Sequence, residues 1–517
     1  MKILSKIIKI FNNAFPIFNR PMAVCAAMCC MAIPFLYKFE SISVYILILF
    51  AVILLLLCAI FVSKKLLIIS VLFLAVCASA VNEFATVKDL ETLDGQFINA
   101  DFTAVTDSYD TGKVHKLTVS CDGTKIIPEN SKFSFYYFFD KDIKCGEHFN
   151  AVVKLSSLEN SDYKMYNFGN SIYMDCKLIE INNKYSNNSF YEKIGNIRRY
   201  MINTLSYRFP DEISSILIAL NCGDRKYLSD EFYNKVLICG VTHIMVVSGL
   251  HISIIIGLIF SFFEKFYQNR YIKSAVSLLL IFAICALCGF TLSVVRAGIM
   301  FLFFVLSPVL LRQNDSLNSL GSSVVLILYL LPFSIFSVSF LLSVSATLAV
   351  VWVAPFYSNL INTKLLIRNK IGKVIVSVLT VSICALIFTA PISISVFGTF
   401  AVLSPLTFLL ITFPVTFALE FNTMALVVSA IKGISFLASP LFWVAGICAR
   451  YIKLIIDNFG ILDFLLIDAG DAELIICVCF IIFMIIFMCI YKYYKKLIKK
   501  RFVMEVKAHG NNLRKQS

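Results

Sequence analysis

The sequence predicts an α-helical polytopic membrane protein of about ten to twelve transmembrane helices, with a small β-barrel inserted among them. Of its 517 residues, 59% are hydrophobic and 15% are charged, and the mean hydropathy is +0.84. Soluble globular proteins carry about 25% charged residues, so this composition excludes that class. Apolar runs at 42–62, 274–295 and 475–491 are each long enough to cross a bilayer as a helix.

Basic residues give the expected orientation, because lysine and arginine concentrate in cytoplasmic loops. They gather in the first twenty residues, at Lys64 and Lys65, between 364 and 373, and in the tail at 493–517. The pattern is consistent if both termini are cytoplasmic and residues 82–185 are extracytoplasmic. It predicts an uncleaved membrane anchor of about three transmembrane helices at 1–81 and a transmembrane helical domain at 241–492.

The polar insert at 82–185 has the pattern of a β domain. Short runs rich in β-branched and aromatic residues lie at 97–105, 114–121, 133–139, 148–155 and 172–181, separated by turn residues. Five such strands predict a small barrel, with the OB-fold among the candidates. Cys121, Cys145 and Cys176 fall in this insert, where one disulfide is compatible with an extracytoplasmic location.

Residues 186–240 are predicted to form an amphipathic helical linker. Apolar residues recur at helical spacing between 190 and 205, opposite basic residues, which predicts a helix on the membrane surface or against the bundle. A second helix is expected to begin at Pro210 and to stop near 222–225. Ser229 is expected to cap a third helix, with Asp230 and Glu231 in its first turn.

The most informative segment is HIMVVSGLH at 243–251, which holds His243, Ser248, Gly249 and His251 within an apolar run. Ionisable residues at membrane depth are costly and usually face a cavity or the bundle interior. Four interpretations stay open: close helix packing with hydrogen bonds across helices, a hydrophilic substrate path, a metal site, or a serine hydrolase with Ser248 as nucleophile. No third histidine lies nearby and no GxSxG elbow is present, which disfavours the last two.

Two further sites add charge to the membrane part. Asp224 and Arg225 follow Gly223 in a turn between helices, where they form either a solvated pair or part of a path. Arg296 lies in the otherwise uncharged run 294–311, so it must snorkel, pair or face a cavity, and an anionic substrate would be a natural partner. The substrate-path candidates are therefore Asp224, Arg225, His243, Ser248, Gly249, His251 and Arg296.

Several segments follow one another in a distinctive order. They are NCGDR at 221–225, GVTHIMVVSGLH at 240–251, VRAGIM at 295–300 and FLLSVSAT at 340–347. In order and approximate spacing they resemble the competence segment of the ComEC-type DNA-internalisation protein family. The resemblance covers most of residues 20–460 and includes the three leading spans and the OB-like domain.

The resemblance implies a membrane channel component for uptake of single-stranded DNA across the cytoplasmic membrane during natural transformation. The implied partners are single-stranded DNA, membrane lipid, a competence DNA receptor outside and an ATP-dependent helicase or translocase on the cytoplasmic side, and a homo-oligomer is a further option. The sequence contains no GxxxxGK[ST] P-loop of its own, so energy is expected to come from a partner.

The sequence also departs from the family pattern. Many family members continue into a metallo-β-lactamase-like domain with an HxHxDH metal site, whereas beyond His251 this sequence contains only His509. We therefore expect a short form with no cofactor, no metal, no catalytic residue and no nuclease activity. The alternatives are an intramembrane serine hydrolase using Ser248 and a transporter of another anionic solute.

The charge of the insert raises one question about DNA. Between residues 81 and 185 there are eleven lysines, no arginine and sixteen acidic residues, a net charge of −5. OB-folds that bind single strands usually offer a basic groove with stacking aromatics. Aromatic residues are dense at 133–139, although they also suit a core. Either the lysines cluster on one face, or the domain does not hold DNA by itself.

Overall fold

The structure is a computed structural model of the chain. It describes residues 20–34, 37, 64–110, 114–123, 127, 131–138, 143–158, 164–185, 190–245, 255, 257, 269–311, 313–364, 369–431, 433–463 and 466–468. The expected spans at 42–62 and 475–491 and the basic tail at 493–517 lie outside these residues.

The described part of the chain is mostly helical. Its helices are α1 (Pro21–Pro34), α2 (Lys64–Glu91), α3 (Lys164–Gly169), α4 (Phe190–Arg208), α5 (Asp211–Cys222), α6 (Asp230–Ile238), α7 (Thr242–Met245), α8 (Arg270–Leu287), α9 (Leu292–Leu306), α10 (Ser316–Leu330), α11 (Val338–Leu348), α12 (Ala354–Lys364), α13 (Lys370–Phe397), α14 (Ser404–Ala430) and α15 (Ala438–Phe459). A π-helical turn, Ala349–Val353, joins α11 to α12, and 3-10 turns lie at Pro332–Phe336 and Ser435–Leu437.

A single sheet holds most of the strands. They are β1 (Phe97–Ala104), β2 (Tyr109–Asp110), β3 (His115–Cys121), β4 (Lys132–Tyr137), β5 (His148–Ser157) and β6 (Ile172–Tyr185). A separate small ribbon pairs β7 (Thr399–Ala401) with β8 (Leu466–Asp468). The sheet order is β1-β5-β6-β4-β3-β2, and β1 also pairs with β3, which closes the sheet into a five-stranded barrel.

The structure confirms the predicted small barrel, because five strands close around one core, with β4 and β6 parallel and the other pairs antiparallel. All five predicted strands are present. Alternation places Phe133, Phe135 and Tyr137 of β4 inside, fully buried, while Tyr136 faces outward. Each such aromatic side chain contributes about 1.5–3 kcal/mol by leaving water. Helix α3 and strand β2 were not predicted from the pattern.

The three cysteines of the barrel are free, buried thiols, so the disulfide that an extracytoplasmic location would allow is not formed. Cys121 and Cys176 point into the barrel interior among the aromatic core. Burial raises the pKa of both thiols, and it raises the pKa of Cys145 to about 11. They therefore behave as small apolar packing residues.

The barrel docks on the helical bundle through aromatic rings and two polar contacts. Phe168 of α3 stacks on Phe333 of the 3-10 turn, with ring centroids 5.7 Å apart. The Tyr173 hydroxyl donates a hydrogen bond to Glu83 of α2. The Lys164 Nζ lies 3.1 Å from the Glu91 carboxylate. These contacts fix the barrel against one end of α2, α10 and α11.

Helix α2 runs through the predicted boundary between anchor and insert. It continues from Lys64 to Glu91, and the barrel begins only at Phe97. The sequence favoured an earlier end because polar residues accumulate after residue 81. The helix extends because its last turns carry Val87 and Leu90 into the barrel core.

The segment predicted as a linker lies inside the bundle core. Every residue of α5 from Ile213 to Cys222 is buried, and α5 shares one apolar cluster with α6, α14 and α15. A helix that is apolar on all sides is stable only when other parts of the protein cover every side. The predicted helix start at Pro210, its end at Gly223 and the Ser229 cap, which accepts from the Phe232 amide, are all confirmed.

Five described helices are long and apolar enough to cross a membrane: Ile68–Glu91, Val338–Asn362, Lys370–Phe397, Ser404–Ala430 and Ser435–Phe459. Four shorter apolar helices accompany them: Pro21–Pro34, Tyr271–Leu287, Leu292–Leu306 and Ser316–Leu330. These helices and the composition indicate a membrane protein. The predicted single span at 274–295 is wrong, because α8 ends at Leu287 and a turn with positive φ at Gly289 and Phe290 precedes α9.

Candidate functional site

The segment that the sequence singled out lies mostly outside the described residues. The backbone of His243 belongs to the short helix α7, while Ser248, Gly249 and His251 are beyond it, so the packing, path, metal and hydrolase interpretations stay untested. The backbone that leads into this segment is hydrogen-bonded to α14. Gly240 has a positive φ of +67°. The chain passes α14 at this residue, and Ser404 Oγ donates a hydrogen bond to the Gly240 carbonyl at 3.0 Å. Thr407 Oγ1 likewise donates to the Cys239 carbonyl at 2.7 Å.

The turn after α5 places Asp224 and Arg225 in different surroundings. Gly223 caps α5 in the left-handed conformation, and Asp224 then lies 3.7 Å from the Arg198 guanidinium of α4. Arg225 turns away, donates to the Tyr233 hydroxyl at 3.0 Å and lies over its ring. Asp224 and Arg225 therefore do not pair with each other, although the sequence had left such a pair open.

Helix α4 connects the barrel to the bundle beside this turn. Arg199 Nη1 lies 3.5 Å from Asp107 in the loop after β1, and Lys226 Nζ donates to the Asp107 carbonyl at 3.4 Å. We call Asp107, Arg198, Arg199, Asp224 and Lys226 the junction cluster. It holds three cations and two carboxylates. The Arg198 Nε is buried and has no hydrogen-bond partner among the described residues.

Arg296 is buried in the bundle, with 4% of its surface exposed. It lies in the second turn of α9, and its Nε donates to Ser343 Oγ of α11 at 2.9 Å. Its Nη1 lies 3.1 Å from Met300 Sδ. Among the described residues no carboxylate forms an ion pair with it. Burying a charge without an opposite charge costs on the order of several kcal/mol, so this arginine is held where an anion would be stabilised.

Arg296 lies near the barrel-facing end of the bundle. Phe282 of α8 packs on Phe190 of α4 and on Phe290 in the turn before α9, with ring centroids 5.8 Å apart in both pairs, which places this turn beside α4. Arg296 is four residues inside α9, about 6 Å along the helix axis. On the other side, α11 begins directly after the 3-10 turn that contacts the barrel. The two basic sites thus follow one another from the barrel into the bundle.

Sequence reasoning missed several members of this arrangement. Arg198 and Arg199 had the pattern of a solvated helix face, and Asp107 lies in a loop without any motif. Ser343 belongs to the FLLSVSAT segment, so its position was marked but its role as the acceptor for Arg296 was not. A hydroxyl within an apolar helix, at a position able to face a buried arginine, is the signal that could have identified it.

The described residues hold no group of three or more His, Cys, Asp or Glu side chains placed to bind a metal ion. The guanidinium, ammonium and hydroxyl groups of the site can bind anions by charge and hydrogen bonds.

Residues 220–493 match the protein family described as Competence protein. The chain belongs to this competence protein family. The match begins at α5 and contains the turn at 223–225, the segment 243–251 and both helices of the Arg296–Ser343 contact. This confirms the resemblance found from the sequence motifs.

A curated relative supports the same family. ComE operon protein 3 of Bacillus subtilis (strain 168) is 24% identical over 253 residues. The matched part is 49% of this chain and 31% of that protein, so the chain matches less than a third of the relative's length. No solved structure matches the chain.

Proposed function

We propose that this protein is a membrane channel component for the uptake of single-stranded DNA across the cytoplasmic membrane during natural transformation. The observation that carries the proposal is Arg296, a buried guanidinium bonded to Ser343 with no carboxylate partner among the described residues. A phosphodiester passing the bundle would supply the missing opposite charge. The family membership makes DNA the natural polyanion.

The junction cluster is the proposed entry to this path. Its cations outnumber its carboxylates, and Arg198 keeps one buried donor without a partner among the described residues. A phosphate at this point would meet Arg198, Arg199 and Lys226 before it reaches Arg296. An excess of positive charge raises the local concentration of an anionic strand, which favours threading from the barrel side.

The proposed orientation follows from the charge pattern. The protein is multi-pass, with both termini cytoplasmic and residues 82–185 extracytoplasmic, so DNA meets the barrel first. A competence DNA receptor would deliver the strand outside, and an ATP-dependent helicase or translocase would pull it inside. The protein itself would provide a hydrated, positively charged path in lipid and no bond-making chemistry, alone or as a homo-oligomer.

Substitution of Arg296 tests the path. Arg296→Met removes the charge but keeps an apolar side chain of similar length, and we expect uptake of labelled DNA by transformable cells to fall at least about tenfold. Arg296→Lys keeps the charge without the planar fork and should retain part of the uptake. Arg450→Met, at an exposed position of α15, is the matched control and should not change uptake.

Stability separates a path role from a structural role. Replacing an uncompensated buried charge by an apolar residue is often neutral or stabilising, so Arg296→Met should melt at or above the wild-type temperature. Normal uptake by a stable Arg296→Met protein would contradict the proposal. If a clean deletion leaves transformation intact in a competent host, a transporter of another anionic solute becomes the better account, because Arg296 suits any anion.

A further inference from the structure

The outer surface of the barrel carries lysines and aromatic residues in one continuous row. The register pairs Phe97 of β1 with Lys154 of β5, and Lys154 with Lys177 of β6. Lys177 is the partner of Tyr136 of β4, which in turn lies opposite Lys116 of β3. Because register partners point to the same face of a sheet, these five side chains form a belt that crosses all five strands. We call them the lysine–aromatic girdle.

The girdle faces away from the barrel core. Phe97 is 64% exposed, Lys154 and Lys177 are exposed, and their chain neighbours Val153, Cys176 and Leu178 are buried inside. Phe138, the residue after β4, adds a ring that is 65% exposed. The barrel therefore presents three large aromatic rings outward where a water-soluble surface normally carries polar groups.

Each lysine of the girdle lies over an aromatic ring. The Nζ atom is 5.8 Å from the Phe97 ring for Lys154, 5.4 Å from the Phe138 ring for Lys177, and 4.9 Å from the Tyr136 ring for Lys116. Each of the three ammonium groups thus lies beside an aromatic face. With neighbouring strands about 4.8 Å apart, five strands give a length of about 19 Å.

The charge of the girdle is opposite to that of its domain. The insert is net acidic, but the belt itself contains three lysines and no carboxylate. Asp175, two residues before Lys177 on the same face, is a neighbouring carboxylate, and Glu180 lies opposite Val152 beyond it. The lysines therefore cluster on one face, although the overall composition of the domain conceals this.

We propose that the lysine–aromatic girdle is a docking surface for single-stranded DNA. Lysine Nζ atoms contact the phosphates, and bases stack on Tyr136, Phe138 and Phe97. Stacking needs unpaired bases, because the faces of bases in a duplex are already covered, so the surface selects a single strand over a duplex. This inference rests on the proposed function, since it names the surface that would receive the strand before the junction cluster.

The girdle differs from a lipid-binding surface in its shape. It wraps around a closed barrel across five strands, whereas a bilayer contacts one flat side of a domain. The side of the barrel that does meet the bundle is marked by Tyr173 and Phe168. Lys177 lies four residues beyond Tyr173 on β6, about 13 Å further along the strand.

Equilibrium binding by the full chain in detergent tests the girdle. A fluorescent oligonucleotide of mixed sequence serves as the probe, with its duplex as comparison. We expect Tyr136→Ala combined with Phe138→Ala to weaken single-strand binding about ten- to a hundredfold, from the loss of two stacking partners. Duplex binding should change much less. Tyr166→Ala, at an exposed aromatic residue outside the girdle, is the matched control and should leave both affinities unchanged.

The salt dependence provides a second measurement that a merely structural role would not change. Lys116, Lys154 and Lys177 changed together to Gln remove three phosphate contacts. The slope of log K against log salt should then flatten by about 2 for a single strand. Lys144→Gln, at an exposed lysine elsewhere on the barrel, should leave the slope as in the wild type. Phe97→Ser replaces an exposed ring and remains informative if the Tyr136 variant does not fold.

Three results would overturn the proposal. One is wild-type affinity and salt slope in the triple-lysine variant. Another is equal weakening of single strand and duplex by the aromatic variant. The last is binding of anionic vesicles that depends on the girdle while DNA binding does not, which would make it a lipid surface. Normal uptake by a stable Arg296→Met protein would count against the proposed path and not against the girdle, because the girdle is tested by binding to the barrel.

Discussion

Arg296 and Ser343 show how two residues in separate motifs form one functional contact. The sequence marks them separately, as one basic residue near the start of an apolar helix and one serine within another, and does not show that they meet. In the bundle the serine accepts the Nε hydrogen, and Nη1 lies beside the sulfur of Met300, which is a weak acceptor. The guanidinium is thus oriented but not neutralised, which suits transient binding of a phosphate better than permanent ion pairing.

The Arg296–Ser343 pair predicts a coupled loss of stability. Ser343→Val removes the acceptor and leaves a buried donor unsatisfied, so we expect a loss of about 1–3 kcal/mol in the free energy of unfolding. In an Arg296→Met background the same change should cost much less, because the donor is gone. Thermal unfolding of the four proteins measures the cycle. Ser339→Ala, at an exposed site one turn earlier, is the control. Additive effects would mean that the two residues do not interact.

At the scale of elements, α4 is the part of the molecule whose role changed most from sequence to structure. Its spacing predicted an amphipathic helix, and the structure agrees, but both of its sides are occupied. One end contacts the barrel loop at Cys145 and Gly146, and the other places Ile202 and Leu205 in the core with α14 and α15. The helix therefore connects the barrel to the bundle by packing contacts on both sides.

The contact between the barrel and α4 predicts a difference between two glycines. Gly146 and Gly95 both have positive φ, but a Cβ at Gly146 would lie 2.3 Å from the Glu192 backbone, whereas at Gly95 it meets nothing within 4 Å. Gly146→Ala should therefore destabilise the full chain more than Gly95→Ala, by an additional 1–3 kcal/mol or so. Thermal unfolding in detergent measures this difference. Equal melting temperatures would show that α4 does not pack against the loop.

The girdle predicts a dependence of DNA binding on pH. Burial raises the pKa of the Asp175 carboxyl, and the charge of Lys116 opposes this shift only in part. A carboxyl whose pKa is raised on folding loses its destabilising charge as the pH falls through its folded pKa. As the pH falls from neutral through the raised folded pKa of Asp175, the barrel should gain stability, and single-strand binding should tighten.

Asp175→Asn isolates this effect, because the amide keeps the size of the side chain and removes the charge. The variant should bind a single strand more tightly than wild type at neutral pH, and it should respond less to acid. Binding isotherms of the wild type and the variant at neutral and at acidic pH measure this difference. An Asn variant with the pH response of the wild type would assign that response to other groups.

At the scale of the whole molecule, local signals were predictable from sequence and long-range contacts were not. The strands of the barrel, the cap at Ser229 and the end of α5 at Gly223 follow from alternation, capping and glycine conformation. The break between α8 and α9 was not predicted, because the sequence stays apolar through Gly289 and Phe290. Pairing of Asp107 with Arg199 joins residues far apart in the chain, and no local pattern specifies such contacts.

The girdle shows a further limit of composition. A net charge of −5 disfavoured DNA binding by the insert, yet register alone gathers three lysines and two outward aromatic rings on one belt. The information was present in the alternation of the strands. It could be used only once the strand order was known, since a shift of one residue turns a side chain to the opposite face.

The most direct test of the central claim is photocrosslinking of a DNA strand in transit past Arg296. The chain has 17 native cysteines, so a photoreactive phenylalanine analogue is preferable to thiol chemistry. It would replace Met300, beside Arg296, or Leu279, which is 70% exposed on α8. With a labelled strand stalled by a protein block, adducts at Met300 and none at Leu279 are expected. Normal uptake without adducts at Met300, or equal adducts at both positions, would contradict a path past Arg296.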